Sequence, residues 1–178
     1  MRYVPLTVIA ACAVTAPVFA TQYLSPEQAE KLMFPEADGF RAHPLTLDTA
    51  QMRQVEQAAG LSARSNQWRV VGAYKGEALL GYVVLDDVVG KFELISYAVG
   101  INPDASVRQV EILAYRESHG SEIRLPAWRR QFAGKSAKGG DVRIGAGINN
   151  ISGATLSCTH VTDGVRRIAA VAQVALAR

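Results

Sequence analysis

Two periodicities divide the chain. Between Trp68 and Tyr115 the period shortens toward two in four strand-like runs, roughly 68–75, 78–87, 92–101 and 107–115. A period of two belongs to strands with one buried face. The runs break at Lys75-Gly76-Glu77, around Gly90 and at Asn102-Pro103-Asp104. Those residue types suit tight turns, so consecutive runs predict an antiparallel sheet. From about Ala154 to Ala177 the period lengthens. Val161, Val165, Ile168, Ala172 and Ala175 recur every three or four residues, the buried stripe of one long helix. Thr155, Thr159, Thr162 and Arg166 form a second stripe at the same spacing, and Ser152 stands where the N-cap belongs.

Ahead of the sheet, residues 21–66 read as a helical extension packed beside it. Ser25-Pro26-Glu27-Gln28 predicts a helix start with Ser25 as cap, Pro26 in the first turn and Gln28 completing a capping box. That helix ends before Pro35. A second begins at Asp48 or Thr49, carries Met52, Val55, Ala58 and Ala59 on its apolar face, and stops at Gly60. After the sheet, "SEIRLPAWRRQFAGK" predicts short helix on either side of Pro126, and a Gly-rich stretch then leads to Asn149-Asn150. Sheet and helices in this order give an α+β fold: an antiparallel sheet packed with helices, with its main domain at 67–178.

The first twenty residues fall outside both periods. Arg2, an apolar stretch from Val4 to about Val14, and a Val18-Phe19-Ala20 ending have the form of a signal peptide cleaved after Ala20. This predicts a periplasmic or otherwise exported protein. No later apolar run is long enough to span a bilayer, which leaves a soluble product or peripheral membrane association. The net charge is +3, one less once Arg2 is removed, with basic residues scattered; nothing in that pattern points to nucleic acid. Of the two cysteines only Cys158 survives cleavage, so no internal disulfide is available and the core holds the fold alone. Cys158 reads as a small buried hydrophobe. Three dispersed histidines offer no close pair for a metal.

Chemistry concentrates at residues 151–161, "ISGATLSCTHV". Here Ser152, Gly153 and Ala154 leave Thr155 unhindered at the start of the long helix. Free N–H groups and the helix dipole make such a terminus a natural phosphate site. The hydroxyl of Thr155 could contact a phosphate, be esterified to one, or simply cap the helix.

"SGATLS" resembles the flavinylation motif of the FMN-binding domain family, Ser/Asp-Gly-Ala-Thr followed by any residue and Ser or Thr. That family includes the C subunit of the sodium-pumping NADH:quinone reductase, the G subunit of the Rnf complex, and small exported proteins. "ESHG" at 117–120 resembles the family's Glu-Thr-x-Gly segment, and "WRRQFAGK" at 128–135 its Trp/Phe-x-x-Gln-Phe-x-Gly-Lys segment. His119 departs from a common proline, and Ser121-Glu122 from Leu-Gly.

The resemblance implies FMN held covalently by a phosphoester on Thr155, installed from FAD by a magnesium-dependent flavin transferase. It implies cofactor contacts from Ser152, Gly153, Ala154 and Ser157 near the phosphate. Glu117, His119, Gly120 and Trp128 are the candidates near the ring. Trp128 reads equally as core filler, Glu117 as a turn cap, and His119 as a solvated residue. Lys135 and Arg143 are loop cations that read as solvated surface charges ahead of phosphate contacts. The implied function is electron transfer between a membrane-bound redox protein or cytochrome and an extracytoplasmic acceptor, with no catalytic residue of the chain's own. A sensory module without covalent flavin and a stand-alone flavin reductase are the alternatives. No nicotinamide-binding Gly-rich βαβ signature supports the second.

Overall fold

The computed structural model describes residues 21–139 and 141–177; the expected signal peptide lies outside them. Seven strands form one antiparallel sheet: β1 (Thr21–Gln22), β2 (Gly39–Ala42), β3 (Leu45–Thr46), β4 (Gln67–Lys75), β5 (Ala78–Val89), β6 (Leu94–Ile101) and β7 (Val107–Tyr115). Their order is β1-β7-β6-β5-β4-β2, with β3 also pairing with β4. The four strands expected from the period of two are β4–β7, and each pairs with the next. The expected antiparallel α+β fold is the fold observed.

Residues 21–66 contain the two expected helices, α1 (Pro26–Met33) and α2 (Thr49–Ala59). Both begin with a complete capping box. In α1 the Gln28 N–H donates to Ser25 Oγ at 3.2 Å, and the Ser25 N–H donates to the Gln28 side chain at 2.8 Å. In α2 Asp48 and Gln51 make the same exchange at 2.8 and 3.0 Å. Gly60 ends α2 in the left-handed conformation. The segment is more than a helical extension, however. It also supplies β1, β2 and β3, which lengthen the sheet at both edges. Pieces of two to four residues are too short to display a period.

Alternation along the strands feeds two apolar layers. One face sends Val70, Val84, Tyr97, Val99 and Ile112 into the main core, closed by α2 and the last helix, α4 (Thr155–Ala175). The other face sends Ala73, Val83, Ala98 and Leu113 against Ala29, Met33 and Phe34 at the end of α1. Fully burying a Val, Ile or Phe side chain contributes about 1.5–3 kcal/mol. The stripe expected on α4 lies in the main core, with Val161, Val165, Ile168 and Ala172 fully buried. Because α2 packs against its back, α4 is also buried beyond that stripe: Thr162 and Ala169 are inaccessible to solvent. Cys158 is buried, and burial pushes its thiol above the ordinary range.

Between β7 and α4 the chain forms a 3-10 turn at Ser121–Arg124, the short helix α3 (Pro126–Arg129) and a further 3-10 turn at Arg130–Phe132. This is the broken helix expected around Pro126. It is anchored to β7 by the Arg129–Glu111 ion pair, in which Glu111 is almost wholly buried and also accepts from Gln109 Nε2 at 2.7 Å.

Candidate functional site

A cleft of about 350 Å³ opens at the N-terminus of α4. Three segments far apart in sequence meet there: Lys91 and Phe92 from the β5–β6 hairpin, Glu117 to His119 after β7, and Gly153 to Ser157.

Thr155 is the first helical residue and is exposed. Its Oγ1 accepts a hydrogen bond from Asn150 Nδ2 at 3.1 Å, leaving the hydroxyl proton uncommitted. The cap position is Ala154, and no side chain caps the helix. The first-turn N–H groups of Thr155, Leu156 and Ser157 therefore have no side-chain acceptor, and the dipole concentrates positive potential where they point. Ser152 is not the N-cap. The Ala154 N–H donates to the Ile151 carbonyl at 3.0 Å, closing a β-turn whose third residue is Gly153, at φ 84°. That position selects glycine in a type II-like turn, and the turn sets the exposed Ser152 outside the helix.

Ala154 is small for a packing reason. It is buried, and a Cβ on Gly120 would stand 2.7 Å from the Ala154 Cβ and 2.7 Å from the Tyr115 hydroxyl. Gly120 itself has φ 86°. The 117–120 loop and the 152–155 turn thus touch with no room for a larger side chain on either. A polar chain reinforces the contact. The Tyr115 hydroxyl donates to the His119 carbonyl, so its oxygen accepts from Ser157 Oγ, 3.0 Å away. Ser157 is buried and serves as this tie. Burial raises the Tyr115 phenol above its ordinary range, partly offset by the Ser157 hydrogen bond.

Glu117 lines the cleft, but its carboxylate is engaged. Oε1 accepts the N–H groups of Phe92 at 2.6 Å and Glu93 at 3.0 Å. Burial tends to raise this carboxyl, and the backbone donors of Glu93, Phe92 and Lys91 outweigh it and hold it below the usual range. The turn-capping reading of Glu117 is the one its geometry fits: it clamps the hairpin that brings Lys91 and Phe92 to the cleft. His160 on α4 supports the same hairpin, donating from Nδ1 to the Val89 carbonyl at 2.6 Å. His119 is exposed at the cleft, its ring bonded to Ser118 Oγ at 2.9 Å.

Trp128 does not line the cleft. It is 4 % exposed, packs edge-on against Phe132, and donates from its indole to the Asn149 carbonyl at 2.8 Å. The Asn149 N–H donates in turn to Gln131 Oε1 at 2.8 Å. The "WRRQF" segment therefore holds Asn149 by both its backbone N–H and its carbonyl, and the next residue, Asn150, bonds Thr155. Trp128 is a core residue that positions the site at one remove. Lys135 and Arg143 also stay away from the cleft; Lys135 pairs with Asp141 at 3.4 Å.

Four contributors were not legible in the sequence: Lys91, Phe92, Asn150 and Tyr115. Phe92 alone left a trace, as an apolar residue beside a turn, and it is 75 % exposed. Phe92 and Leu156, the latter 45 % exposed, give the cleft an apolar rim. Lys91 Nζ lies 4.8 Å from the Phe92 ring centroid.

Residues 90–170 match the family model described as FMN-binding domain. That interval contains every residue of the cleft. Among solved structures, the crystal structure of Shewanella oneidensis NqrC aligns over 78 % of this chain and 79 % of that one, at 17 % identity and a TM-score of 0.49. A comparison with curated protein sequences finds no match.

Proposed function

Residues 90–170 belong to the FMN-binding domain family, and from that premise we propose that the protein is an exported electron carrier holding FMN through a phosphoester on Thr155. One observation carries this reading: an exposed threonine hydroxyl stands at the uncapped start of a 21-residue helix and opens on a cleft. An uncapped terminus leaves donors and positive potential for a phosphate. Lys91 adds a cation. Phe92 and Leu156 present apolar surface suited to a flat aromatic ring. The residues present fit the group.

Attachment would form a bond from Thr155 Oγ to the FMN phosphorus and break the pyrophosphate of FAD, with AMP leaving and the hydroxyl proton released to the transferase. Asn150 accounts for the orientation of the oxygen before attack. Bound FMN supplies the redox chemistry that no side chain of the cleft provides. The chain's own residues attach it, set its electrostatics and hold the loops around it. Covalent attachment suits an exported protein, because dissociation of the cofactor into a flavin-poor compartment is prevented. The donor or acceptor on the membrane side would be a membrane-bound redox protein or cytochrome.

The test is co-expression with a flavin transferase, followed by denaturing gel fluorescence and intact mass. Wild type should fluoresce and carry the added mass of an FMN phosphoester. Thr155→Ala should lose both and keep the fold, because Thr155 is exposed. Bare wild-type protein, or flavin retained by Thr155→Ala, would refute the attachment.

A further inference from the structure

Toward the other end of α4 lies buried charge with no close counter-ion. Arg167 is 7 % exposed, and its only hydrogen bond among the described residues is from Nε to the Ser62 carbonyl, at 2.7 Å. Among the described residues neither Arg167 nor Arg64 takes part in an ion pair. Yet the two arginines line one cleft of about 330 Å³. Burial lowers the Arg167 pKa, and the Arg64 charge lowers it further, against weaker opposing effects of Tyr97, Asp86 and Asp163. Arg64 also sits at φ 61°, a conformation unfavourable for any residue with a Cβ. A strained arginine set beside a buried one is the reverse of what stability alone would select.

The other walls limit what could fill this space. Trp68 and Leu85 are apolar, and Asp86 and Asp87 stand with them. Both acids are already engaged through Oδ2: Asp86 accepts from the buried Tyr97 hydroxyl at 2.6 Å, and Asp87 from Arg69 at 2.9 Å. Each keeps a second oxygen without a donor among the described residues. Gly164 on α4 admits the Tyr97 ring, since a Cβ there would lie 2.0 Å from its hydroxyl. The acids are therefore held in place, not available to fold over and neutralise the arginines.

We propose that this cleft binds a small monocarboxylate carrying a hydrogen-bond donor, a hydroxy acid or an amino acid. The guanidinium groups of Arg64 and Arg167 receive the carboxylate, since a planar N–H fork matches its two oxygens. The ligand's hydroxyl or ammonium meets the unused oxygen of Asp86 or Asp87, and a short apolar tail lies along Trp68 and Leu85. Two acids in the wall disfavour multiply charged anions such as sulfate or phosphate. The cleft shares no residue with the one at Thr155, so this proposal is independent of flavin attachment.

Isothermal titration of the processed full-length protein with sodium lactate, L-alanine, sodium sulfate and methyl lactate provides the test. Lactate or alanine should bind at least tenfold more tightly than sulfate and the ester, and the better of the two identifies the donor the acids prefer. Arg64→Gly should weaken that binding at least tenfold while leaving the thermal midpoint equal or higher, because glycine accepts φ 61°. Absence of binding by both acids, equal binding of sulfate, or unchanged affinity in Arg64→Gly would overturn the proposal.

Discussion

Ser25 and Asp48 each accept a hydrogen bond from the N–H three residues on and donate one from their own N–H to a glutamine side-chain oxygen, whereas α4, the longest helix, begins at Thr155 with no side chain at its cap. The first two helices complete their ends locally and work as structure. Helix α4 leaves its end open, and the chain holds that end from outside instead. Gly120 and Ala154 interlock, Ser157 and Tyr115 bridge them, and the Trp128–Gln131 grip on Asn149 steadies Asn150. A helix terminus left uncapped but braced on three sides is the arrangement that the proposed phosphate attachment requires.

The brace is the place where this contrast breaks most severely. Gly120→Ala would add a Cβ 2.7 Å from both Ala154 and Tyr115 at a φ of 86°. We expect at least about 2 kcal/mol of destabilisation in urea unfolding, from strain and overpacking together. Flavin incorporation should fall with it, since the loop and the turn must separate. Trp128→Phe keeps the contact with Phe132 but removes the donor to Asn149. It should cost about 1.5 kcal/mol and slow flavin incorporation even though no atom of Trp128 lines the cleft. Normal incorporation in this variant would show that the grip on Asn149 does not reach Thr155.

The caps themselves sharpen the contrast at smaller amplitude. Asp48→Ala should destabilise by about 1 kcal/mol, as loss of a working N-cap does. Ser152→Ala should stay within about 0.5 kcal/mol, the range of an ordinary surface change. Equal losses in the two variants would restore Ser152 as a cap.

The smallest effect concerns pH. The folded Glu117 carboxyl titrates below its ordinary value of 4.5, because backbone donors on the hairpin overcome the opposing effect of burial. A carboxyl lowered on folding stabilises the folded state above its unfolded pKa, and that contribution disappears as pH falls through the folded value. Urea midpoints of wild type should therefore exceed those of Glu117→Gln near neutrality and converge with them in acid below 4.5. A gap between the two that persists at low pH would assign the Glu117 effect to shape, not charge.

Legibility in the sequence followed the range of the interactions involved. Strands β4 to β7 and helices α1, α2 and α4 were legible because each repeats a pattern over eight or more residues. The capping boxes were legible because both partners lie within four positions. The edge strands β1 to β3 were not, since pairing with a distant strand creates them. At the site, Thr155 was readable from its motif. The roles of its neighbours were not: Ser152 is displaced by the turn at Gly153, and Glu117 is spent on the hairpin 24 residues before it. Trp128 turns into the core.

The sequence by itself determined the longer elements, their antiparallel order and the threonine at the head of the last helix, because periodicity, caps and motif spacing are local properties of the chain. Only the tertiary structure decided what surrounds that threonine. Lys91 and Phe92 line its cleft from the β5–β6 hairpin, Asn150 bonds its hydroxyl, and Tyr115 at the end of β7 bonds Ser157, 42 residues away. Those partners are selected by packing geometry, and long-range packing leaves no period or spacing in the chain to read.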